Sequence, residues 1–453
     1  MLKRILVPTV LALALCGPAV ANPFETTLRN GLRIIVKEDH RAPTAVQMVW
    51  YRVGSIDEVD GTSGVAHVLE HMMFKGTPSV GPGEFNRRVA AAGGRDNAFT
   101  SRDYTAYFQQ IPKEKLPEMM QLEADRMRHL NVDPKEYAQE IKVVMEERRM
   151  RTDDNPQAKL FEQMNAVAFQ AHPYRRPIIG WMDDLEHMRW QDARDWYRQW
   201  YAPNNAYVVV VGDVDHREVF RLAQKYYGIH KARQLPERKP QNEPEQAGVR
   251  RVTVKAPAKL PYMAMAWKAP KLRDARNDRD PYALEVLAAV LDGHDASRFS
   301  KNLVRGSRVA QSAGAGYDGS LRGEATFTLD GQPAEGKTIA ELEAALRAEL
   351  KRVQDEGVSA EELARVKTQS IAAQTYKRDS LMAQAMEIGG LEASGMNWRD
   401  IDTLLEKLKT VTAEEVQAVA KKYFTDDTLS IAVLDPQPVE QSKPRKPSGP
   451  VRH

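Results

Sequence analysis

The sequence predicts an α+β fold laid down twice, as two tandem homologous domains, each a mainly antiparallel sheet with flanking helices. Three observations predict it. Ala45–Trp50 reads as a strand, and Tyr262–Trp267 reads as another whose Trp falls 217 residues later. Each half then closes on a helix, a polar turn and a strand. In the first half these are Asp192–Tyr201, Pro-Asn-Asn and Tyr207–Val211; in the second they are Glu414–Tyr423, Thr-Asp-Asp and Leu429–Val433, at an offset of 222. Near-constant spacing of matching elements marks a duplication. Finally, strands such as Arg33–Lys37 are grouped among long helical stretches, which favours α+β over a regular alternating α/β fold.

Along the chain, residues 1–21 read as a secretory signal peptide. Lys3 and Arg4 give a positive start, Ile5–Cys16 an apolar core, and Ala19-Val20-Ala21 a small-residue cleavage site before Asn22. That core is too short to span a bilayer comfortably. Leu15 stands where a lipoprotein site takes a small residue, so lipidation of Cys16 is not expected. Cys16 is the only cysteine. The mature chain is therefore expected to hold no disulfide, thiol nucleophile or cysteine-ligated metal, which suits a bacterial periplasm. No later segment is apolar enough to span a membrane. Without Lys3 and Arg4 the chain carries 63 basic against 62 acidic residues. That balance argues against a nucleic-acid binder, which needs a basic face.

The 432 residues after the leader are too many for one compact core. The first domain is expected over 22–233. Residues 234–248 are rich in Pro, Glu, Lys and Gln and read as a linker. The second domain is expected over 249–435. Helices are expected over Lys115–Leu130 and Pro134–Arg151, then over Thr338–Gln354 and Ala360–Gln374. Residues 436–453 hold five prolines and are expected to be disordered.

The chemistry lies in the first half. Ser63 is the expected N-cap and Gly76 the expected stop of a helix across Gly64–Phe74. His67 and His71 are four apart and share a face, and Glu70 joins them. Val65, Leu69, Met72 and Met73 turn largely toward the core. Two neutral imidazoles so spaced can hold Zn²⁺ and leave room for a third protein ligand and a water. Zinc lowers the pKa of that water to roughly 7. A neighbouring carboxylate, here Glu70, can take the proton and pass it to a leaving amine. This His-x-x-Glu-His order is the inverzincin signature. The plain alternative is a metal-free histidine pair, but with ten His in the chain, chance seldom sets two around a Glu.

A second helix opens with Asp133 as cap, Pro134 in the first position and Glu136 three residues after the cap. Glu140 and Glu147 lie two turns apart on one face. One can ligate the metal while the other hydrogen-bonds a ligand. Glu146 is the rival of Glu147, though it lies on a different face from Glu140. The residues alone leave that choice open, and leave open a merely solvated acidic face.

Gly54–Glu58, Gly64–Thr77, Gly94–Tyr107, His172-Pro173-Tyr174 and Pro203–Ala206 together resemble the signature of the pitrilysin family of zinc peptidases. That family includes insulin-degrading enzyme and the mitochondrial processing peptidases. The resemblance covers nearly the whole mature chain. It implies Glu147 as the third ligand, Glu140 as a supporting carboxylate and Glu70 as the general base. It implies one zinc per chain, because Tyr282–Leu291, the counterpart of the metal helix, has no His. It also implies that Asn97, Ala98, Phe99 and Thr100 form an edge strand to which a peptide substrate adds as another strand.

Family members enclose a chamber between two such two-domain halves. One half here implies a second chain, in a homodimer or a heterodimer. Active members also carry in the C-terminal half an Arg, with a Tyr seven residues on, that hold the substrate and polarise its carbonyl. Arg305 matches the Arg. Gln311 stands at the Tyr position with the spacing short by one, and Tyr317 is out of register. Loss of such oxyanion assistance costs about 3 kcal/mol or more. The chain is therefore read as a periplasmic zinc endopeptidase subunit, active either alone or with a homologous Arg/Tyr-bearing partner. The alternative is a non-catalytic scaffold or a peptide-binding protein on the same fold. The complete ligand set speaks against the scaffold. Three ligands, where structural zinc sites use four, speak against the second.

Overall fold

The computed structural model describes residues 22–438. The expected leader at 1–21 and most of the expected tail lie outside the described residues. In the first half, β1 (Phe24–Thr27), β2 (Arg33–Glu38), β3 (Thr44–Tyr51), β4 (Arg95–Thr100), β5 (Thr105–Pro112) and β6 (Ala206–Gly212) form one sheet, ordered β1-β2-β6-β3-β5-β4. In the second half, β7 (Arg250–Pro257), β8 (Tyr262–Ala269), β9 (Ala310–Tyr317), β10 (Ala325–Pro333) and β11 (Leu429–Gln437) form another, ordered β7-β11-β8-β10-β9. Pairs β2–β6 and β7–β11 are parallel and the rest antiparallel.

Set β1 aside and the two strand orders coincide. The repeat goes down to single residues. Trp50 faces Tyr207 across β3 and β6, and Trp267 faces Leu429 across β8 and β11. The sequence offsets of 217 and 222 are therefore one register read on two neighbouring strands.

The helices of the first half are α1 (Val65–Met72), α2 (Glu84–Ala91), α3 (Leu116–His129), α4 (Pro134–Arg148), α5 (Pro156–Ala168), α6 (Met182–His187), α7 (Trp190–Trp200) and α8 (His216–Tyr226). Those of the second are α9 (Asp280–Asp292), α10 (Ile339–Glu356), α11 (Ala360–Lys377), α12 (Leu381–Ser394), α13 (Ile401–Lys409) and α14 (Ala413–Tyr423). Among the described residues no helix is long and apolar enough to cross a membrane.

One face of each sheet is covered by its own domain, through α1, α3, α7 and α8 in the first and α9, α10 and α14 in the second. The other face is covered by the neighbour. Ala385, Ile388 and Ala393 of α12 pack on Val46, Met48, Trp50 and Val209 of the first sheet. Leu160 and Met164 of α5 pack on Val254, Ala264, Ala432 and Leu434 of the second. Each domain lends the other a helix, so neither buries its apolar surface alone.

Residues 231–247 carry no helix or strand, but they are strapped down. The Glu243 carboxylate accepts from the backbone amides of Gln170, Ala171 and His172 at 2.7–2.9 Å. The expected tail needs one correction. Pro436 and Gln437 are not disordered but continue β11, opposite Ala256 and Pro257. Strand β7 runs on far enough to pair with them, so the ladder outlasts the apolar stretch.

Gly389 of α12 sits hard against the first sheet. The Tyr207 hydroxyl donates to its carbonyl at 2.7 Å. A Cβ on Gly389 would lie 2.1–2.5 Å from atoms of the fully buried Trp50 ring. Gly389→Ala should therefore destabilise by about 1–3 kcal/mol through overpacking. That outweighs the helix propensity gained, roughly 1 kcal/mol. Urea titration followed by both far-UV dichroism and tryptophan fluorescence checks this; an unchanged midpoint would overturn it, and the two probes should coincide because the domains interlock.

Candidate metal centre

Helix α1 begins one residue later than the sequence suggests, and by another device. Its N-cap is Gly64, in the left-handed conformation at φ +87°. A Cβ there would meet the Ile179 carbonyl oxygen at 2.6 Å, so no larger residue fits. Ser63 does not cap. Its amide and hydroxyl both donate to Asp184 instead, and its oxygen accepts from the Trp181 amide at 2.9 Å. The free amides of the first turn go to Glu58: Gly64 and Ala66 each donate to its carboxylate at 2.9 Å. Burial pushes the Glu58 carboxyl up to about 8, so the two amide bonds rather than a full charge hold it at this end of the helix. The helix runs to Met72, short of the expected Phe74, and Gly76 follows at φ +107°.

Helix α4 begins as expected. The Asp133 side chain accepts from the amides of Lys135 and Glu136, and Pro134 takes the first position. The helix is regular to Arg148, then widens into a π-type turn over Arg149–Asp153 before α5. Such turns recur at functional sites.

The two helices bring His67, His71 and Glu147 together. One ligand atom from each lies within 4.8 Å of the others. Nε2 of His67 and Nε2 of His71 stand 3.8 and 3.3 Å from Oε2 of Glu147. Two imidazole nitrogens and one carboxylate oxygen are a donor set suited to zinc. Glu146, the rival, is exposed and pairs with Arg149 at 3.0 Å.

Behind the cluster, Oε1 of Glu140 lies 2.8 Å from Nδ1 of His71. An ionised carboxylate can only accept, so Nδ1 carries the proton and Nε2 faces Glu147. Lys75, four residues beyond His71, pairs with the second oxygen of Glu140. Glu70 is buried, and its Oε2 accepts from the Thr100 hydroxyl at 2.6 Å.

Burial, aided by the charge of His71, pulls His67 down to about 4. Burial also opposes the charged form of His71, but hydrogen bonds to Glu140 and Glu147 outweigh it and push His71 up to about 9. Burial raises the Glu70 carboxyl above its ordinary range, against the Thr100 hydrogen bond. The two imidazoles are thus driven apart, His71 toward its charged form by two carboxylates and His67 toward its neutral form by burial.

His67, Glu70, His71 and Glu147 line a cavity of about 1120 Å³, together with Asn97–Thr100 and Arg151. Strand β4 is the last of its sheet and pairs only with β5, so its outer edge borders the cavity unpaired. Asn97 is exposed, and its side chain accepts from the Ala98 amide at 2.9 Å. Ala98 is buried. The Phe99 ring lies edge-on to Trp50 at 5.8 Å.

Arg305 does not join them. It is exposed on the second domain, in the turn Phe299–Gly306, and donates to the Asp295 carbonyl. Within this chain it touches none of the cluster and does not line the cavity. Gln311 is exposed on β9, and the Tyr317 hydroxyl donates to the Pro270 carbonyl. Neither stands in the metal cavity.

Glu58, Lys75 and Arg151 serve the cluster without being marked by any motif, and the Arg151 guanidinium pairs with the second oxygen of Glu147. The i, i+4 spacing of His71 and Lys75 could have flagged Lys75. No local signal marks Glu58, which acts across a loop. That loop is held in turn by Arg176, which donates to the Glu58 carbonyl at 2.6 Å. The turn leading into Arg176 depends on His172, whose Nδ1 accepts from the Tyr174 amide at 3.2 Å.

Residues 33–181 match the family described as insulinase (peptidase family M16), and residues 188–370 match the peptidase M16 inactive domain. The zinc protease PqqE of Helicobacter pylori is 31% identical over 422 residues, covering 90% of this chain and 92% of the relative. The crystal structure of a protease from Helicobacter pylori shares the fold with a TM-score of 0.87 at 29% identity, covering 92% of this chain and 100% of that one. The periplasmic protease PqqL from Escherichia coli does so at 0.78 and 20% identity, covering 93% of this chain and 48% of that one.

Burial, reinforced by nearby Lys268, holds His172 down to about 4. In the unfolded chain an imidazole takes its proton near 6.5. Between those values the unfolded state binds the extra proton, so stability falls as pH drops from about 6.5 toward about 4. His172→Asn keeps an acceptor for the Tyr174 amide and removes the titration. Its melting temperature should fall less steeply than that of the wild type across this window, and parallel curves would overturn the assignment.

Proposed function

The chain belongs to peptidase family M16, the insulinase family, and on that premise we propose that it is a zinc metalloendopeptidase acting on peptides or unfolded segments. The observation that carries this reading is the convergence of His67, His71 and Glu147, with Glu70 beside them, in a cavity bordered by an unpaired strand edge. Zinc held by those three side chains supplies a Lewis acid and a bound water with a pKa of roughly 7.

The chain's own residues do the rest. Glu70 takes the proton of the attacking water and returns it to the leaving amine. Its buried setting raises its proton affinity toward the working range, and Thr100 fixes its orientation. Glu140 holds the His71 tautomer by accepting from Nδ1, and Lys75 steadies Glu140. The substrate adds along the free edge of β4, where Asn97–Thr100 offer backbone hydrogen bonds. Backbone pairing demands an extended chain and tolerates varied sequence.

One such unit occupies about half the length of PqqL, which supports two units closing one chamber. The partner is a second copy or a homologous subunit carrying the Arg/Tyr pair. Arg305, remote from its own cluster, belongs in this reading to the chamber of the partner. The expected leader at residues 1–21 supports export to the periplasm.

The first test is peptide cleavage by the purified mature chain alone, with one zinc bound per chain. Glu70→Gln should retain that zinc and lose about 10²–10⁴ in kcat, and a chelator should abolish turnover. Turnover untouched by Glu70→Gln would overturn the assignment of the base. No turnover despite bound zinc would place activity in the complex with a partner. Glu140→Gln should weaken zinc binding by about 10–100-fold in competition with a chromophoric chelator; an unchanged affinity would remove Glu140 from the site.

A further inference from the structure

The second domain has no counterpart of the histidines on α9, yet one of its loops reaches the cap of α1. We propose that Arg322, in that loop, is a positioning residue for the metal helix and for the strand edge beside it. Its guanidinium donates to both carboxylate oxygens of Asp57, at 3.2 and 3.3 Å. The same group donates to the Asp103 carbonyl at 2.9 Å, and the Arg322 amide donates to the Asp103 carboxylate at 2.9 Å.

These two partners are where the cavity walls are anchored. Asp57 directly precedes Glu58, whose carboxylate takes the amides of Gly64 and Ala66 at the start of α1. His67 is the next residue. Asp103 lies in the hairpin turn between β4 and β5, three residues beyond Thr100, which holds Glu70. One arginine from the second domain thus fixes the cap of the helix that carries the histidines and the turn of the strand that borders them.

The geometry leaves little slack. The Asp57 side chain is 4% exposed and that of Arg322 is 20% exposed. Asp57 also accepts from the Gly54 amide at 3.2 Å and from Arg238 in the inter-domain segment. The Tyr174 hydroxyl donates to Asp103 at 2.6 Å and accepts from the Gly323 amide at 2.9 Å. Removing one partner of a largely buried charge pair leaves the other charge poorly compensated. Without the guanidinium, Asp57 would keep only Gly54 and Arg238, and Asp103 only Tyr174 and the backbone amide of residue 322, so the Glu58 loop and the hairpin turn would loosen.

Only the last step, from helix position to metal affinity, rests on the zinc reading. The test therefore begins without metal. Amide hydrogen exchange is measured on the metal-free wild type, Arg322→Met, Arg322→Lys and Asp57→Asn. The control is Arg347→Met, which breaks a pair with Glu343 and Asp426 elsewhere in the second domain. Arg322→Met and Asp57→Asn should speed exchange at Gly64–His67 and Ser101–Thr105 by about tenfold and leave α10 unchanged. Arg322→Lys should recover part of the protection, and Arg347→Met should alter neither segment.

Zinc affinity, read by chelator competition, should fall by about tenfold in Arg322→Met. Exchange and affinity both within twofold of wild type would overturn the proposal. If Arg322→Met does not fold, unchanged exchange in Asp57→Asn and Arg322→Lys overturns it equally. A wild type that takes up no zinc while the variants still speed exchange would sink the zinc reading and leave the clamp standing.

Discussion

Leu160 and Met164 bury themselves on a sheet that belongs to the other domain, and Ala385 and Ile388 return the exchange. A sheet that is apolar on both faces must be covered on both. Here each sheet lacks one cover within its own half of the chain. The placement of the site follows from this exchange. Helix α5 must cross to the second sheet, and it is joined to α4 by the wide turn at Arg149–Asp153. Arg148, at the end of α4, is held by Glu162 of α5 at 2.8 and 3.0 Å and by the Gly180 carbonyl at 2.8 Å. Gly180 in turn packs against Gly64 at the start of α1. The carboxylate of Glu147 and the imidazole of His67 are thus placed by the same crossing.

The charges at the centre obey the same economy of partners. Buried carboxylates are costly unless paired. Glu140 is paired with His71 and Lys75, and Glu147 with His71 and Arg151. Glu70 has a hydroxyl donor but no ion pair among the described residues, and burial makes its carboxyl the one of the three whose proton affinity rises. The other two are held below the ordinary range, Glu147 by its hydrogen bond to His71 and Glu140 by hydrogen bonds that outweigh its burial. Three carboxylates around one site are thereby set to different tasks.

Much of this was legible beforehand, and the failures share a cause. The strand pairs around Trp50 and Trp267 could be read because period and spacing are local properties, and so could the shared face of His67, Glu70 and His71. Asp133 could be read as a cap because it acts two and three residues ahead. Ser63 looked like the same kind of signal. It failed because Asp184, 121 residues away, competes for its hydroxyl. Glu58 could not be found, because its target amides lie across a loop. The crossing of α5 and α12 was equally hidden, since an apolar helix face does not say which sheet it will meet. Arg305 rests on resemblance alone, and its place on the second domain is a matter of assembly that no local pattern carries.

The lent helices also govern what happens when the chain is cut. Residues 231–247 are the extended stretch between the halves, and a protease that opened them would sever the backbone without separating the fold. Each fragment would still hold a helix seated on the other's sheet. The product would run as two bands in denaturant and as one particle in native buffer. Either fragment made alone would present a bare apolar sheet face to water and depend on its complement for solubility.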